Sequence, residues 1–421
     1  MRPVVARPDG GLEVLGGFRA AARSGGRVLP LDPAELIPLP EGTTLMHLPG
    51  RRAIALDVKD RPVDVEADLL PVAAVLPVGY LRTMLPASRP LPGSRRLPLY
   101  GYAAVAEHHD ELRVAALSTD EFGWWEPRRY AGGSLEAAIE SARKALPSNR
   151  LVDHLAICAT DLRCYTAQNT FLRRYEGALP ASPACNADCL GCISLQTDGE
   201  APAPQPRMRF APTAEELWGM ADFHLGGADA GIVSFGQGCE GEPLTRDDVL
   251  ARAVDLIRRD HPTATIHVNT NGSRPLVLQR LIDAGCNSVR ISAISFTDPV
   301  FRAYYRPVGY SIEDVVECGR VMSRSGGQVC MNLLTFPGLT DATDELDHTA
   351  AAAVEMGAHQ IQWRSLNCDH DWLVDVLGAR DLLPAEGMGL AGAYRHLVER
   401  LPGVTHGNFT RPVLAPHRLD I

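Results

Sequence analysis

The sequence lacks the features that would place this protein in a membrane, outside the cell or on nucleic acid. No stretch of 18 uninterrupted apolar residues occurs, so no segment is predicted to span a membrane. The first residues, MRPVVARPDGG, contain no apolar core of a secretory signal, and we expect none. Acidic residues outnumber basic ones, 51 to 41, which argues against a nucleic-acid partner bound through a basic face.

Cysteine, by contrast, is not scarce: the 421 residues include ten. The rest of the composition, 45% hydrophobic and 22% charged, is ordinary for a globular protein, and the length allows two or three domains. Without a secretory signal, ten cysteines are better explained as metal ligands and buried thiols than as disulfides. The expected compartment is therefore a reducing cytoplasm.

The pattern of apolar residues changes near residue 150. Residues 1–150 contain short strand-like runs separated by proline and glycine, and end in an amphipathic helix over 133–146, which predicts a β-rich accessory domain. No motif gives this domain a role. A connecting segment (151–177) follows it, and residues 371–421 are predicted to form a C-terminal extension with one helix.

Residues 178–370 alternate strand-like and helix-like segments, about six βα units in all. Such alternation predicts parallel strands joined by crossover helices, either in an open doubly wound sheet or in a complete or partial barrel. Both architectures gather functional side chains at the carboxyl ends of the strands. The predicted strands are 179–184, 230–236, 264–270, 288–295, 328–336 and 359–366.

Three cysteines lie together after the first predicted strand, in SPACNADCLGCISLQ: Cys185, Cys189 and Cys192. A [4Fe–4S] cluster usually takes four cysteines, so three would leave one iron with an open coordination site. The Pro-rich stretch that follows, 197–210, is predicted to be a loop. A structural zinc ion is the alternative and would need a fourth ligand, for which the upstream candidates are Cys164, Cys158 and His154.

Four stretches in order resemble the radical S-adenosylmethionine (radical SAM) superfamily. CNADCLGC is similar to the cluster loop of that family, CEGEPL (239–244) to its Gly-Gly-Glu-Pro segment, VNTNGS (268–273) to its Thr-Asn-Gly turn and VRIS (289–292) to its fourth-strand motif. The resemblance extends over about residues 180–370 and is strongest to an uncharacterised subgroup. It implies an α/β fold with a partial (β/α)6 TIM-like barrel that binds a [4Fe–4S] cluster and S-adenosylmethionine (SAM).

The resemblance also assigns site residues. Cys185, Cys189 and Cys192 would bind the cluster, whereas SAM would be held by Gly241, Glu242, Pro243, Asn269, Asn271, Arg290 and Ser292. Gln362 and Arg364 repeat the spacing of Arg290 and Ser292 on the sixth strand, and they would orient SAM or meet a polar substrate. Structural roles are the alternatives: Glu242 could cap a helix, Asn-Gly is an ordinary turn dipeptide, and the arginines could pair with a barrel carboxylate.

Two positions depart from the family pattern. Gly191 stands where many members have an aromatic residue that packs on adenine, so the stacking partner is expected elsewhere. Glu240 replaces the first glycine of the Gly-Gly-Glu-Pro segment, so the backbone contact there is expected to differ.

Cys239 and Cys368 follow predicted strands and are candidate catalytic residues, as donors of a hydrogen atom to a substrate radical. They could instead join Cys158 and Cys164 around a second cluster, although no compact repeat of cysteine spacing indicates one. The structural alternative is that they are small buried apolar side chains. Three other cysteines fall within predicted helices or strands and are expected to be core thiols: Cys286, Cys318 and Cys330.

The sequence therefore predicts a radical SAM enzyme that cleaves SAM reductively and abstracts a substrate hydrogen through a 5′-deoxyadenosyl radical. A peptide or protein side chain or a small metabolite is the expected substrate, and a flavodoxin or ferredoxin the expected electron donor. Two other functions stay open at this point. One is a non-catalytic iron–sulfur or zinc protein that senses or transfers electrons, and the other is a glycyl-radical activating enzyme.

Overall fold

A computed structural model describes residues 1–120, 134–227 and 231–413. Two predicted elements begin one residue outside the described ranges: the helix predicted over 133–146 and the strand predicted over 230–236. The tail from residue 414 onward also lies outside them. Within the described part of the chain, no helix has the length and apolar character needed to cross a bilayer.

Residues 2–118 form antiparallel sheets, so the β-rich N-terminal region is confirmed. The largest sheet has eight strands, and two smaller sheets have three each. The strands of the three sheets together are β1 (Arg2–Ala6), β2 (Leu12–Val14), β3 (Ala21–Ser24), β4 (Arg27–Pro30), β5 (Leu36–Pro38), β6 (Thr44–His47), β7 (Arg51–Leu56), β8 (Pro62–Asp64), β9 (Leu70–Val75), β10 (Tyr80–Arg82), β11 (Leu85–Pro86), β12 (Ser88–Pro90), β13 (Tyr102–His108) and β14 (Glu111–Ser118).

The eight-stranded sheet has the order β10-β14-β13-β1-β9-β6, with β2 beside β1 and β5 beside β14. Each of its four central strands contributes to one buried face two residues spaced two apart, which is the period that places side chains on one face of a sheet. This buried face consists of Val4 and Ala6, Val72 and Ala74, Ala103 and Val105, and Val114 and Ala116. These residues form one hydrophobic core of the N-terminal region.

Three helices connect the N-terminal sheets to the rest of the chain: α1 (Leu135–Ala145), α2 (Arg150–Thr160) and α3 (Tyr165–Leu172). The predicted amphipathic helix corresponds to α1. Asn149 caps the amino terminus of helix α2: its side-chain oxygen accepts a hydrogen bond from the amide of Leu151 at 3.0 Å. The segment predicted only as a connection is thus largely helical and packs on the main core.

The second half of the chain forms a seven-stranded parallel sheet whose spatial order follows the sequence. Crossover helices connect its strands, and the sheet curls into a partial (β/α) barrel, which confirms the predicted fold class. The strands are β15 (Glu176–Ala178), β16 (Ile232–Phe235), β17 (Thr265–Thr270), β18 (Ser288–Ala293), β19 (Gln328–Thr335), β20 (Gln360–Ser365) and β21 (Thr405–Gly407). The helices are α4 (Ala214–Leu225), α5 (Asp247–Asp260), α6 (Pro275–Asp283), α7 (Asp298–Tyr305), α8 (Ile312–Arg324), α9 (Thr343–Met356), α10 (His370–Gly378) and α11 (Leu390–Arg400).

The two edges of this sheet differ from the sequence prediction. The first strand, β15, ends at Ala178, before the predicted range of 179–184. The chain leaves the ladder because the amides of Ala181 and Ser182 donate to the carboxylate of Glu240 instead of to a neighbouring strand. At the other edge the C-terminal extension adds β21, a strand beyond the six predicted.

The strand register brings the polar residues of the predicted site to one face. Neighbouring residues in register on parallel strands point to the same side of the sheet. Asn269 pairs with Arg290, Ser292 with Asn332, and Asn332 with Gln362. These side chains therefore share the inner face of the barrel near the carboxyl ends of β17 to β20.

Buried ionic contacts join the N-terminal sheets to the barrel. Arg51 contacts Asp369 at 2.6 Å and Asp371 at 2.9 Å, and Arg23 also pairs with Asp371. Buried Arg82 donates to the carbonyl oxygen of Leu366 at 2.9 Å. The N-terminal region is thus attached directly beside the carboxyl end of β20.

Candidate active site

A cavity of about 390 Å³ opens at the carboxyl ends of the parallel strands. Its walls come from the loop after β15, the turns after β16 and β17, the inner faces of β18 to β20, and the end of α7. That volume suits a ligand of the size of a small organic molecule. The cavity therefore lies where the parallel sheet predicts a functional site.

Three thiols form one wall of this cavity, those of Cys185, Cys189 and Cys192. Burial, followed by the neighbouring thiols of Cys192 and Cys185, raises the pKa of Cys189 well above its ordinary value. Burial, followed by the charge of Glu242, also raises the pKa of Cys185. Three thiolates crowded together repel one another, so a positively charged group is needed to hold them deprotonated. The donor set fits an iron–sulfur cluster, which binds cysteine as thiolate.

The backbone holds the cysteine loop in place. The amides of Asp188 and Leu190 donate to the carbonyl oxygens of Tyr305 and Tyr304, at 3.1 and 3.0 Å. Because these bonds use main-chain groups at the end of α7, the side chain of Cys189, which lies between them, is not needed to fix the loop. That thiol is therefore available as a metal ligand.

Glu242 lies on the cavity wall at the start of a 3-10 helix, Pro243–Arg246. Its Oε1 accepts hydrogen bonds from the amide of Leu244 at 3.0 Å and the hydroxyl of Thr270 at 2.6 Å, and its Oε2 accepts from the amide of Asn271 at 2.8 Å. Burial raises the pKa of Glu242 to about 7, against the effect of these bonds. A carboxylate oxygen accepts two hydrogen bonds, so Oε2 keeps one position for a ligand. Glu242 both caps the helix and retains an acceptor.

The two asparagines of the Asn-Thr-Asn-Gly turn line the cavity, but they also stabilise the turn. The Nδ2 of Asn269 donates to the carbonyl of Phe235 at 2.8 Å. The Nδ2 of Asn271 donates to Oδ1 of Asn186 in the cysteine loop at 2.9 Å, and its own Oδ1 accepts from the amide of Ser273 at 3.1 Å. Hydrogen bonds thus connect the end of β17 to the neighbouring strand β16 and the turn after β17 to the cysteine loop.

Arg290 and Arg364 lie at the base of the cavity, with Gln362 buried behind them. Gln362 Oε1 accepts from Arg290 at 2.9 Å and from Arg364 at 3.4 Å, and Arg364 also donates to the carbonyl of Asn408. In the described part of the chain, neither guanidinium forms an ion pair. Burial, followed by the charge of Arg290, lowers the pKa of Arg364 to about 9. The arginines are held by neutral groups and face a space that suits an anion.

Residues 179–350 match the family model of the Radical SAM superfamily. The chain therefore contains a radical SAM domain. It is an enzyme of the radical SAM class, and the matched segment runs from directly after β15 into α9, the crossover helix between β19 and β20.

Known proteins with similar folds are distant from this chain. No curated protein matches it in sequence. A methylornithine synthase is 13% identical over 67% of this chain and 87% of its own, with a TM-score of 0.36. A radical SAM methyltransferase from Sphaerobacter thermophilus is 15% identical over 50% and 65%, with a TM-score of 0.36. A spore photoproduct lyase is 13% identical over 62% and 95%, with a TM-score of 0.39. Similarities this low do not identify the reaction or substrate of this radical SAM protein.

Gly191, the first departure from the radical SAM pattern, is explained by a tyrosine. A Cβ at position 191 would lie 2.6 Å from the hydroxyl of Tyr304 and 2.9 Å from the carbonyl oxygen of Asn367. Tyr304 is buried and lines the cavity, so it occupies the space that a side chain at 191 would need. An aromatic ring is therefore present beside the third cysteine, supplied by α7.

Glu240, the second departure, positions the loops of the radical SAM site. Its Oε2 accepts from the amides of Ala181 and Ser182 at 2.7 and 2.8 Å, and its Oε1 accepts from the amide of Gln237 at 2.6 Å. Burial raises the pKa of Glu240 to about 8, although the amide bonds oppose the shift. The carboxylate thus links the approach to the cysteine loop with the turn that carries Glu242.

Cys239 and Cys368 are buried, and neither lines the cavity that the structure describes at the radical SAM site. The thiol of Cys239 lies beside His154, with Sγ 3.3 Å from Nε2. Donation of a hydrogen atom by either cysteine stays a prediction. The predicted core thiols are confirmed as buried, at Cys286, Cys318 and Cys330.

Sequence reasoning does not identify Arg207, because it lies in the Pro-rich stretch predicted as a loop. Its Nη2 is 3.5 Å from Cys192 Sγ, and its Nε donates to the hydroxyl of Ser194 at 3.1 Å. Asn332, on β19, is a second unexpected residue and donates to the hydroxyl of Ser292 at 2.8 Å. The only feature of the sequence that could have identified Asn332 is its polar side chain within an otherwise largely apolar strand.

A cluster bound by Cys192 would have its reduction potential lowered by roughly 100 mV in Arg207→Leu, because a positive charge beside a ligand thiolate favours the added electron. The potential is measured by redox titration of the reconstituted protein, followed by electron paramagnetic resonance (EPR). Arg209→Leu is the matched control, since Arg209 is exposed on the same segment. Equal potentials in wild type and Arg207→Leu would contradict an effect of Arg207 on the cluster.

Proposed function

We propose that the protein binds a [4Fe–4S] cluster through Cys185, Cys189 and Cys192 and binds SAM in the adjoining cavity. When bound, these groups supply the one-electron reductive cleavage of SAM and the abstraction of a hydrogen atom from a substrate. The observation that carries the proposal is the convergence of three thiols and several polar groups on one cavity.

Unpaired polar atoms in the cavity support a polar ligand. Arg290 Nε, Tyr305 Oη and Asn332 Oδ1 are buried and, among the described residues, have no hydrogen-bond partner. All three residues line the cavity. An unpaired buried polar atom costs about 1–3 kcal/mol, so a ligand that pairs with these atoms would recover that cost. SAM, with its amine, carboxylate and ribose, offers both donors and acceptors.

Different residues of the cavity would bind different groups of SAM. Glu242 would accept a hydrogen bond from the amine at its free Oε2 position. Arg290 and Ser292, which line the same wall, would face the carboxylate and the ribose. Tyr304 would supply an apolar ring next to the cluster, in the place that the family usually gives to the residue at position 191. Closely packed walls of this kind also exclude water from the reacting groups.

Glu242→Gln is expected to weaken SAM binding roughly 10- to 100-fold, because a charge-assisted hydrogen bond of about 1.5–3 kcal/mol is lost. The dissociation constant is measured by equilibrium dialysis with the reconstituted protein. Glu313→Gln, at an exposed position on α8, is the control and should bind SAM as wild type does. Unchanged affinity in Glu242→Gln with a full complement of iron would contradict the assignment of Glu242.

Radical SAM enzymes generally need an external reductant and act on a separate substrate. We propose a flavodoxin or ferredoxin as the reductant, and a peptide or protein side chain or a small metabolite as the substrate. The N-terminal sheets contact the cavity wall next to β20, since the amide of Arg82 donates to the hydroxyl of Ser365 at 3.1 Å. That position supports a role for the N-terminal domain in covering the cavity or recognising the substrate.

The proposal is tested by anaerobic reconstitution with iron and sulfide, addition of SAM and dithionite, and detection of 5′-deoxyadenosine by mass spectrometry. Wild type is expected to bind about four irons per chain and to release 5′-deoxyadenosine. The control combines Cys185→Ala, Cys189→Ala and Cys192→Ala and should do neither. Iron-loaded wild type that releases no more 5′-deoxyadenosine than the control would argue against the proposal.

A further inference from the structure

A second group of metal-binding side chains lies behind the cavity. Over residues 1–120, 134–227 and 231–413, only His154, Cys158 and Cys239 form a set of three histidine, cysteine or acidic residues whose ligand atoms all lie within 4.8 Å of one another. His154 Nε2 is 3.3 Å from Cys239 Sγ and 3.9 Å from Cys158 Sγ. The three cysteines of the cavity wall do not meet this spacing.

Two parts of the fold supply the three ligands. His154 and Cys158 are four residues apart on α2, so their side chains project from one face of the helix. Cys239 lies in the turn after β16, immediately before Glu240. The three residues are therefore held by a helix and by a turn that the backbone fixes, since the carbonyl of Cys239 accepts from the amide of Met208 at 2.8 Å.

A further cysteine, Cys164, lies beside this group, although its thiol is outside the set of ligand atoms that all lie within 4.8 Å of one another. Cys164, at the start of α3, lines a small cavity together with Cys158 and Cys239. Its backbone amide donates to the carbonyl of Cys158 at 2.9 Å, which holds the two residues together. Leucine and alanine side chains form much of the remaining lining. A site with imidazole and thiolate ligands in apolar surroundings suits a thiophilic metal ion.

We propose that His154, Cys158 and Cys239 bind one Zn²⁺ ion, and that the thiol of Cys164 moves toward them to become the fourth ligand. Zinc holds thiolate at about 2.3 Å and imidazole at about 2.0 Å, so its tetrahedral ligands lie roughly 3.5–3.8 Å apart. The two distances from His154 Nε2 to the sulfurs bracket that range. Ligands on separate irons of a [4Fe–4S] cluster would lie farther apart. The cysteines bind as thiolates, and their protons are released to solvent.

The ion has a clear role in the architecture. It joins α2 to the turn that carries Glu240 and Glu242, the residues that position the cysteine loop and accept the ligand. Because Cys239 directly precedes Glu240, metal bound there holds the turn from the side opposite the cavity. We therefore assign the zinc site a positioning role for the adjoining site, distinct from any catalytic one.

The test uses the full-length protein in which Cys185, Cys189 and Cys192 are all replaced by alanine, so the result does not depend on SAM cleavage. Mass-spectrometric metal analysis is expected to find about one zinc per chain in this variant and in wild type. Adding Cys158→Ser or Cys239→Ser should reduce zinc at least tenfold. Cys286→Ala, at a buried cysteine outside the group, should retain it.

Cobalt substitution provides a measurement that does not require a variant to fold. Co²⁺ added to protein in which His154, Cys158 and Cys239 are unchanged is expected to give the intense visible absorption bands of a tetrahedral site with thiolate ligands. The weak bands of an octahedral ion, or less than about one-tenth equivalent of zinc in the triple variant, would overturn the proposal. Iron and sulfide retained by the triple variant and lost with Cys158→Ser would also overturn it, in favour of a second cluster.

Discussion

Gly241→Ala is expected to lose most of the iron bound by wild type, from about four atoms per chain to less than one, and to lose SAM cleavage with it. A Cβ at this position would lie 2.0 Å from the carbonyl oxygen of Ala184 and 3.2 Å from the amide nitrogen of Cys185. These are backbone atoms, so a rotamer change cannot relieve the overlap. The turn would have to move away from the cysteine loop, and the hydrogen bond from the Gly241 amide to Ser182, now 2.7 Å, would break.

Iron and 5′-deoxyadenosine are measured after anaerobic reconstitution. Gly403→Ala is the matched control, because no atom lies within 4 Å of its Cβ position. If Gly241→Ala bound iron and cleaved SAM as the control does, close contact between the turn and the cysteine loop would not be required. A circular-dichroism spectrum like that of wild type would show that the loss arises locally.

Arg51→Met is expected to lower the free energy of unfolding by about 3–5 kcal/mol, the usual cost of removing one partner from a buried ion pair. Arg51 is 3% exposed, and its guanidinium contacts Asp369 and Asp371 between the N-terminal sheets and α10. Methionine preserves much of the volume but leaves both carboxylates with less positive charge. Asp369 would keep its hydrogen bond from the amide of Leu97, at 2.7 Å, which limits the loss.

Urea unfolding followed by circular dichroism measures this change. Arg89→Met is the matched control, because Arg89 pairs with Asp64 on the surface, where their side chains are 52% and 45% exposed. Its expected cost is below about 1 kcal/mol, since solvent screens exposed pairs. Equal effects of the two variants would show that the contact between the N-terminal sheets and α10 contributes little to stability.

The sequence predicts the barrel well because its central strands are rich in apolar residues, alternate with helical segments and are followed by distinctive polar turns. The range predicted over 264–270 is β17 with one additional residue, and 288–295 contains β18. The two edge strands are different. Glu-Gly-Ala in β15 and Thr-His-Gly in β21 are too short and too polar to show a strand pattern, and only pairing with β16 and β20 defines them.

The site likewise contains residues that local sequence patterns predict and residues that only the folded chain brings together. Cysteine spacing and the Glu-Pro and Asn-Gly turns are local patterns, so they identify Cys185, Glu242 and their neighbours directly. Arg207 and Tyr304 reach the cysteine loop from distant parts of the chain, and no local pattern predicts such contacts. The proposed zinc site likewise requires α2 and the turn after β16 to meet. The sequence suggests Cys239 and Cys158 as ligands of one second cluster, but no local pattern adds His154 to them.

The central claim is that three thiols leave one iron of the cluster open for SAM. It is tested most directly by the EPR spectrum of the dithionite-reduced, reconstituted protein with and without SAM. Binding of SAM at the open iron predicts a clear shift of the g values, and Glu242→Gln should require more SAM to produce it. An identical spectrum with and without saturating SAM, in protein that holds about four irons, would contradict the claim.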